Sequence, residues 1–129
     1  MTVTPLYAAL CGLLLILLSH RVIRQRQRHD VVLGDDGQRA VLRAMRVQAN
    51  FVEYAPVALI LLALAELQGH ALWMLHGLGL LLICGRLLHA FGVAREPEDR
   101  RFRVAGMTLT FASITFGSFM NLAGVLLLW

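Results

Sequence analysis

The last 26 residues of the chain, 104–129, contain no charged side chain. Three further apolar stretches, at about 3–22, 47–67 and 71–94, occupy most of the remaining sequence. A helix needs about 20 residues to cross a bilayer, so each of the four stretches is long enough to span one. We therefore predict an all-α integral membrane protein, a four-helix bundle in which the 129 residues form one domain.

The composition excludes other classes of protein. Hydrophobic residues make up 58% of the chain and charged residues only 16%, whereas about a quarter of the residues in a soluble domain are charged. The chain is basic, but its arginines lie between apolar stretches, which is typical of membrane flanks rather than of a nucleic-acid surface. Two cysteines are too few for a disulfide framework. The histidines lack the spacing of metal ligands, and we predict no metal site.

The arginines between the stretches predict the orientation. The segments that follow the first and third stretches contain Arg21, Arg24, Arg26, Arg28, Arg39, Arg43 and Arg46, and Arg95, Arg100, Arg101 and Arg103, respectively. Arginine-rich loops stay in the cytoplasm, so both termini are predicted on the opposite side of the membrane. Because no Arg precedes Arg21, the first stretch is predicted to be a retained helix rather than a cleaved signal peptide.

A polar stripe marks the start of the second stretch. Its members, spaced by four, three, four and three residues, are Arg39, Arg43, Arg46, Asn50 and Glu53. This spacing places them on one helical face. Glu53 lies about 10 Å deeper in the membrane than Arg46, at 1.5 Å per residue, and an ionised carboxylate there needs a partner. Arg86 lies about 13 Å inside Arg95 by the same rise and is the predicted partner.

Two interpretations of these residues remain open. A Glu53–Arg86 pair can simply hold two membrane helices in register. The longer stripe, with His89 one turn from Arg86, instead indicates a polar pocket that opens to the cytoplasm. Because Arg binds carboxylates in a bidentate manner, such a pocket is suited to a polar, anionic small molecule.

Three segments carry a resemblance to a known family. They are RAMRVQANFVEYAP at 43–56, GRLLH at 85–89 and RVAGM at 103–107. Together with the four stretches and the loop order, they resemble the MAPEG family, the membrane-associated proteins in eicosanoid and glutathione metabolism. The resemblance covers essentially the whole chain and is strongest to bacterial members without an assigned activity, which implies that the membrane is a bacterial inner membrane.

The resemblance implies a homotrimer that binds glutathione in clefts between neighbouring subunits. The residues that it assigns to the glutathione site are Arg24, Arg26, Arg46, Gln48, Asn50, Glu53, Tyr54, Arg86 and His89. In this assignment Arg46 binds a carboxylate, Glu53 binds the ammonium group, and Asn50 bonds to amides. His89 and Val93 depart from the pattern, because some family enzymes carry tyrosines there.

By the same resemblance, Arg103 is the catalytic residue that stabilises the glutathione thiolate. The alignment after Arg95 needs a gap, so Arg100 and Arg101 compete with Arg103 for this role. The implied activity is that of a glutathione transferase, or a peroxidase, acting on hydrophobic molecules from the bilayer.

Two alternatives to an enzyme remain open. One is a glutathione-binding or scaffold protein without turnover. The other is a small four-helix transporter, although the arginines near Glu53 would repel the cations that such exporters carry.

Overall fold

The computed structural model describes residues 1–127, and these residues form four α-helices and no strand. The helices are α1 (Val3–Arg28), α2 (Arg39–Leu67), α3 (Leu72–Ala94) and α4 (Arg100–Leu127). Each is long and apolar enough to cross a membrane by length and composition. The prediction of an all-α, four-helix membrane protein is confirmed. The last two residues of the predicted stretch 104–129 lie outside the described residues.

Three helices extend beyond the apolar stretches at the arginine-rich end of the bundle. Helix α1 continues to Arg28, α2 begins at Arg39, and α4 begins at Arg100. Apolarity marks only the part of a helix that lies in hydrocarbon. Arg and Gln are good helix formers, so the helices continue past the predicted boundaries into the interface.

Helices α3 and α4 approach each other through glycines. A Cβ atom on Gly85 would lie 2.8 Å from the carbonyl oxygen of Gly106 and 2.7 Å from the hydroxyl of Thr110. Further along the same contact, Ser113 donates a 2.9 Å hydrogen bond to the carbonyl of Leu78. Small residues let membrane helices pack backbone to backbone, which fixes the start of α4 against the end of α3.

Most of the buried residues are apolar, and so are many side chains on the outer surface. Two clusters of buried residues form the core: Cys11, Leu18, Val47, Phe51, Ala55, Ala58 and Leu82, and Val3, Tyr7, Leu62, Ala65, Leu75 and Leu78. Large apolar side chains such as Leu13, Ile16 and Phe119 point outward. Exposed leucine and phenylalanine are suited to lipid, which is as apolar as the core.

A carboxylate joins α1 and α2 at the end opposite the arginines. Glu66 accepts hydrogen bonds from the backbone N–H groups of Thr2, Val3 (2.9 Å) and Thr4 (2.7 Å). These N–H groups belong to the first turn of α1 and have no partner within the helix. Glu66 therefore caps α1 and places it alongside the end of α2.

Candidate functional site

Polar residues from three helices meet in a cleft of about 210 Å³ at the arginine-rich end. The cleft is lined by Leu42, Arg43, Arg46, Asn50, His89, Val93, Glu98 and Arg103. The stripe on α2 supplies one wall, and the ends of α3 and α4, held together by their glycines, supply the other. The structure thus brings together four residues assigned from the sequence: Arg46, Asn50, His89 and Arg103.

Arg86 lies behind this cleft rather than in it. Its side chain is only 2% exposed. The Nε–H group of its guanidinium donates to the Thr110 hydroxyl (2.9 Å), and a terminal nitrogen donates to the Asn50 side-chain oxygen (2.6 Å). The guanidinium carbon lies 5.8 Å from the centre of the Tyr54 ring, within range of a cation–π contact. Arg86 therefore orients Asn50, which lines the cleft.

The predicted pair between Glu53 and Arg86 is wrong. Glu53 lies exposed on the outer face of α2, while Arg86 bonds to Asn50. The prediction rested on equal depth in the membrane, which does not fix the direction of a side chain. Successive residues of a helix point about 100° apart, and α3 packs on the Tyr54 side of α2 rather than on the Glu53 side.

Arg103 is paired with an acidic residue that sequence reasoning missed. A guanidinium nitrogen of Arg103 lies 2.7 Å from the carboxylate of Glu98. Arg100 and Arg101 are exposed and line the outer side of the loop between α3 and α4, away from the cleft. The sequence contains a signal for this pair, because Glu98 stands just before α4 and Arg103 stands in its first turn. An acidic residue ahead of a helix can reach a basic residue in the first turn.

The other sequence-assigned residues do not line the cleft of the single chain. Gln48 donates a 2.7 Å hydrogen bond to the hydroxyl of Ser19 and so faces α1. Arg24 is exposed near the end of α1, and Arg26 lies against the sulfur of Met45.

Tyr54 also lies outside the cleft lining. Its ring packs edge to face on Phe111, with 5.5 Å between the ring centres. Together with the cation–π contact to Arg86, this packing makes Tyr54 a bridge from α2 to α3 and α4.

Comparison with known proteins identifies the family. A profile of the MAPEG family matches residues 4–123. The chain belongs to the MAPEG family. It is 37% identical over 120 residues to the inner membrane protein YecN of Escherichia coli strain K12, and equally to YecN of E. coli O6:H1 strain CFT073. The alignment covers 93% of this chain and 90% of each relative.

These matches confirm two predictions made from the sequence. The resemblance read from the three segments is correct, and this MAPEG protein is an integral membrane protein. The inner-membrane location of YecN, stated in its name, agrees with the predicted localisation.

Proposed function

We propose that this MAPEG protein is a glutathione transferase of the bacterial inner membrane. In the proposed reaction, the thiolate of glutathione is conjugated to a hydrophobic electrophile that arrives from the bilayer. The observation that carries the proposal is the convergence of Arg43, Arg46, Asn50, His89 and Arg103 on one cleft at the arginine-rich end. Family membership supports it, because the MAPEG family comprises membrane proteins of eicosanoid and glutathione metabolism.

The donor set of the cleft fits the groups of glutathione. The tripeptide carries two carboxylates, an ammonium group, two amides and a thiol. Arg43 and Arg46 are suited to the carboxylates, because a guanidinium group binds them in a bidentate manner. Asn50, held by Arg86, offers an oriented amide for the peptide groups. In this proposal the arginine-rich end faces the cytoplasm, where glutathione enters.

Two features of the single chain support a homotrimer. The cleft of about 210 Å³ is smaller than the roughly 300 Å³ at the low end of small-molecule sites. Glu53 lies exposed in an apolar part of α2, and a carboxylate that faces lipid is costly. In the proposed trimer, a neighbouring subunit covers this face of α2, which accounts for both the small cleft and the exposed carboxylate. It encloses the site, and it lets Glu53 bind the glutathione ammonium group away from lipid.

Arg103 stabilises the reactive form of the cosubstrate in this mechanism. A free thiol has a pKa near 8.5, and a cation next to the sulfur lowers it. Lowering it by 2 corresponds to about 2.7 kcal/mol, which one guanidinium group can supply in a partly dry cleft. The thiol proton leaves to water at the cytoplasmic mouth. The sulfur then attacks the electrophilic carbon, a C–S bond forms, and the leaving group departs with its bonding electrons.

Thermal unfolding of the detergent-purified protein tests binding. A ligand that binds only the folded state raises the unfolding midpoint. We expect millimolar glutathione and S-methylglutathione to raise the midpoint of the wild type, and Glu53→Gln to abolish the rise. An unchanged wild-type midpoint with both ligands would reject glutathione as the ligand.

Turnover with 1-chloro-2,4-dinitrobenzene separates a transferase from a scaffold. We expect the wild type to release chloride and form the conjugate. Arg103→Gln should lower kcat about 100-fold, the equivalent of 2.7 kcal/mol, while glutathione binding persists. Arg101→Gln is the matched control, because Arg101 lies outside the cleft. A wild type that binds glutathione without forming conjugate would favour the scaffold alternative.

A further inference from the structure

The cleft contains its own anion. Of the described residues that line it, only Glu98 carries a carboxylate, and that carboxylate lies 2.7 Å from a guanidinium nitrogen of Arg103. Arg43 and Arg46 line the same space without contacting this carboxylate. Glu98 therefore occupies one side of the guanidinium group to which the proposed function assigns the glutathione sulfur.

The backbone on both sides of Glu98 is held in place. Arg43 donates a hydrogen bond to the carbonyl of Arg95 and lies 3.7 Å from the carboxylate of Glu96. On the other side, the N–H group of Asp99 donates a 3.1 Å hydrogen bond to the carbonyl of Gly92. The loop is thus tied to α2 and to α3, which keeps the Glu98 carboxylate at the cleft.

We propose that Glu98 acts through Arg103 as an internal counter-ion, which occupies the guanidinium group in the free protein and is displaced by the anionic sulfur of the ligand. This inference rests on the proposed function. No covalent bond changes in the step: one ion pair of Arg103 is exchanged for another. Both partners are partly exposed, with side-chain exposures of 54% for Arg103 and 30% for Glu98. Ion pairs of this kind are weak, so a ligand can displace the carboxylate.

The exchange predicts a dependence on the charge of the ligand's sulfur substituent. A ligand with an anionic group there must compete with the Glu98 carboxylate for Arg103. A ligand that is neutral there has no need of Arg103 and leaves the pair intact. Removal of the carboxylate should therefore favour the first ligand and not the second.

Isothermal titration calorimetry of the full-length, detergent-purified protein tests this dependence. The two probes are glutathione sulfonate, which is anionic at sulfur, and S-methylglutathione, which is neutral there. We expect Glu98→Gln to bind the sulfonate about two- to fivefold more tightly than the wild type, the factor that corresponds to an exposed ion pair. Its affinity for S-methylglutathione should be unchanged. Glu98→Asp, which keeps the charge, should behave like the wild type.

Glu96→Gln is the matched control, since it removes the same charge from the same loop without touching Arg103. Equal gains in Glu98→Gln and Glu96→Gln would overturn the proposal in favour of a long-range charge effect. Equal gains for both ligands, or weaker sulfonate binding by Glu98→Gln, would also overturn it and leave the proposed function standing. A wild type that binds neither probe would reject the proposed function, and the displacement with it.

Discussion

Arg86 positions Asn50, a residue of the cleft, without lining the cleft itself. Its planar guanidinium group reaches Thr110 on α4 and Asn50 on α2 at the same time. A lysine in its place keeps the charge but cannot reproduce this fork. We expect Arg86→Lys to weaken glutathione binding about tenfold, which is about 1.4 kcal/mol and within the range of one charge-assisted hydrogen bond. Calorimetric titration with S-methylglutathione measures the loss.

Thr110→Val is the control for this prediction, because it removes the acceptor on α4 that bonds to Nε of Arg86 and leaves Asn50 in place. It should bind S-methylglutathione nearly as the wild type does. Wild-type affinity in Arg86→Lys would show that the orientation of Asn50 is not needed for binding.

At the residue scale, the sequence predicts faces better than partners. The stripe that contains Arg46 and Asn50 follows from spacing along one helix, and both residues line the cleft. The partner of Arg86 depends on how α2 and α3 are rotated about their axes, and depth in the membrane contains no such information. The pair of Arg103 with Glu98 depends on the path of the loop before α4, which hydropathy does not determine.

At the scale of the helices, the close contact between α3 and α4 forms the wall of the cleft that faces α2. A methyl group on Gly106 would collide with the backbone of His89 and Gly85. We expect Gly106→Ala to destabilise the protein by about 1–3 kcal/mol, as overpacking does. It should also weaken glutathione binding, because α4 carries Arg103 into the cleft. The thermal unfolding midpoint in detergent measures the first effect.

Gly77→Ala is the matched substitution in α3, since a Cβ atom there meets nothing within 4 Å. It should leave the midpoint unchanged or raise it, because Ala is the better helix former by up to about 1 kcal/mol. Equal midpoints for the two alanine variants would contradict the close contact.

The cap on α1 is a second element whose contribution can be measured. The Glu66 carboxylate accepts hydrogen bonds from the N–H groups of Val3 and Thr4. Its negative charge also interacts favourably with the partial positive charge at the N-terminus of α1. We expect Glu66→Gln to cost about 0.5–2 kcal/mol, the range for the loss of an N-cap. Hydrogen exchange should become faster in the first turn of α1 and stay unchanged in α4. Unchanged exchange at residues 3 and 4 would contradict the cap.

At the scale of the whole molecule, the exposed carboxylate of Glu53 bears on assembly. The proposed homotrimer predicts a particle of about three times the 14.3 kDa of one chain. Native mass spectrometry from a mild detergent should give this mass. Glu53→Leu removes the charge from the outer face of α2, so it should preserve the trimer while abolishing glutathione binding. A monomer in the wild type would contradict the proposed site between subunits.

The order of the helices also bears on how the protein enters its membrane. The loop after Arg28 closes the pair α1 and α2 at one end, the bond between Gln48 and Ser19 joins it part-way along, and Glu66 closes it at the other end. Every one of these links lies within the first 67 residues. A helical hairpin closed in this way can form during translation, before α3 and α4 leave the ribosome. In the orientation predicted from the arginines, it then carries the Glu66 carboxylate across the bilayer already hydrogen-bonded to the N–H groups of α1.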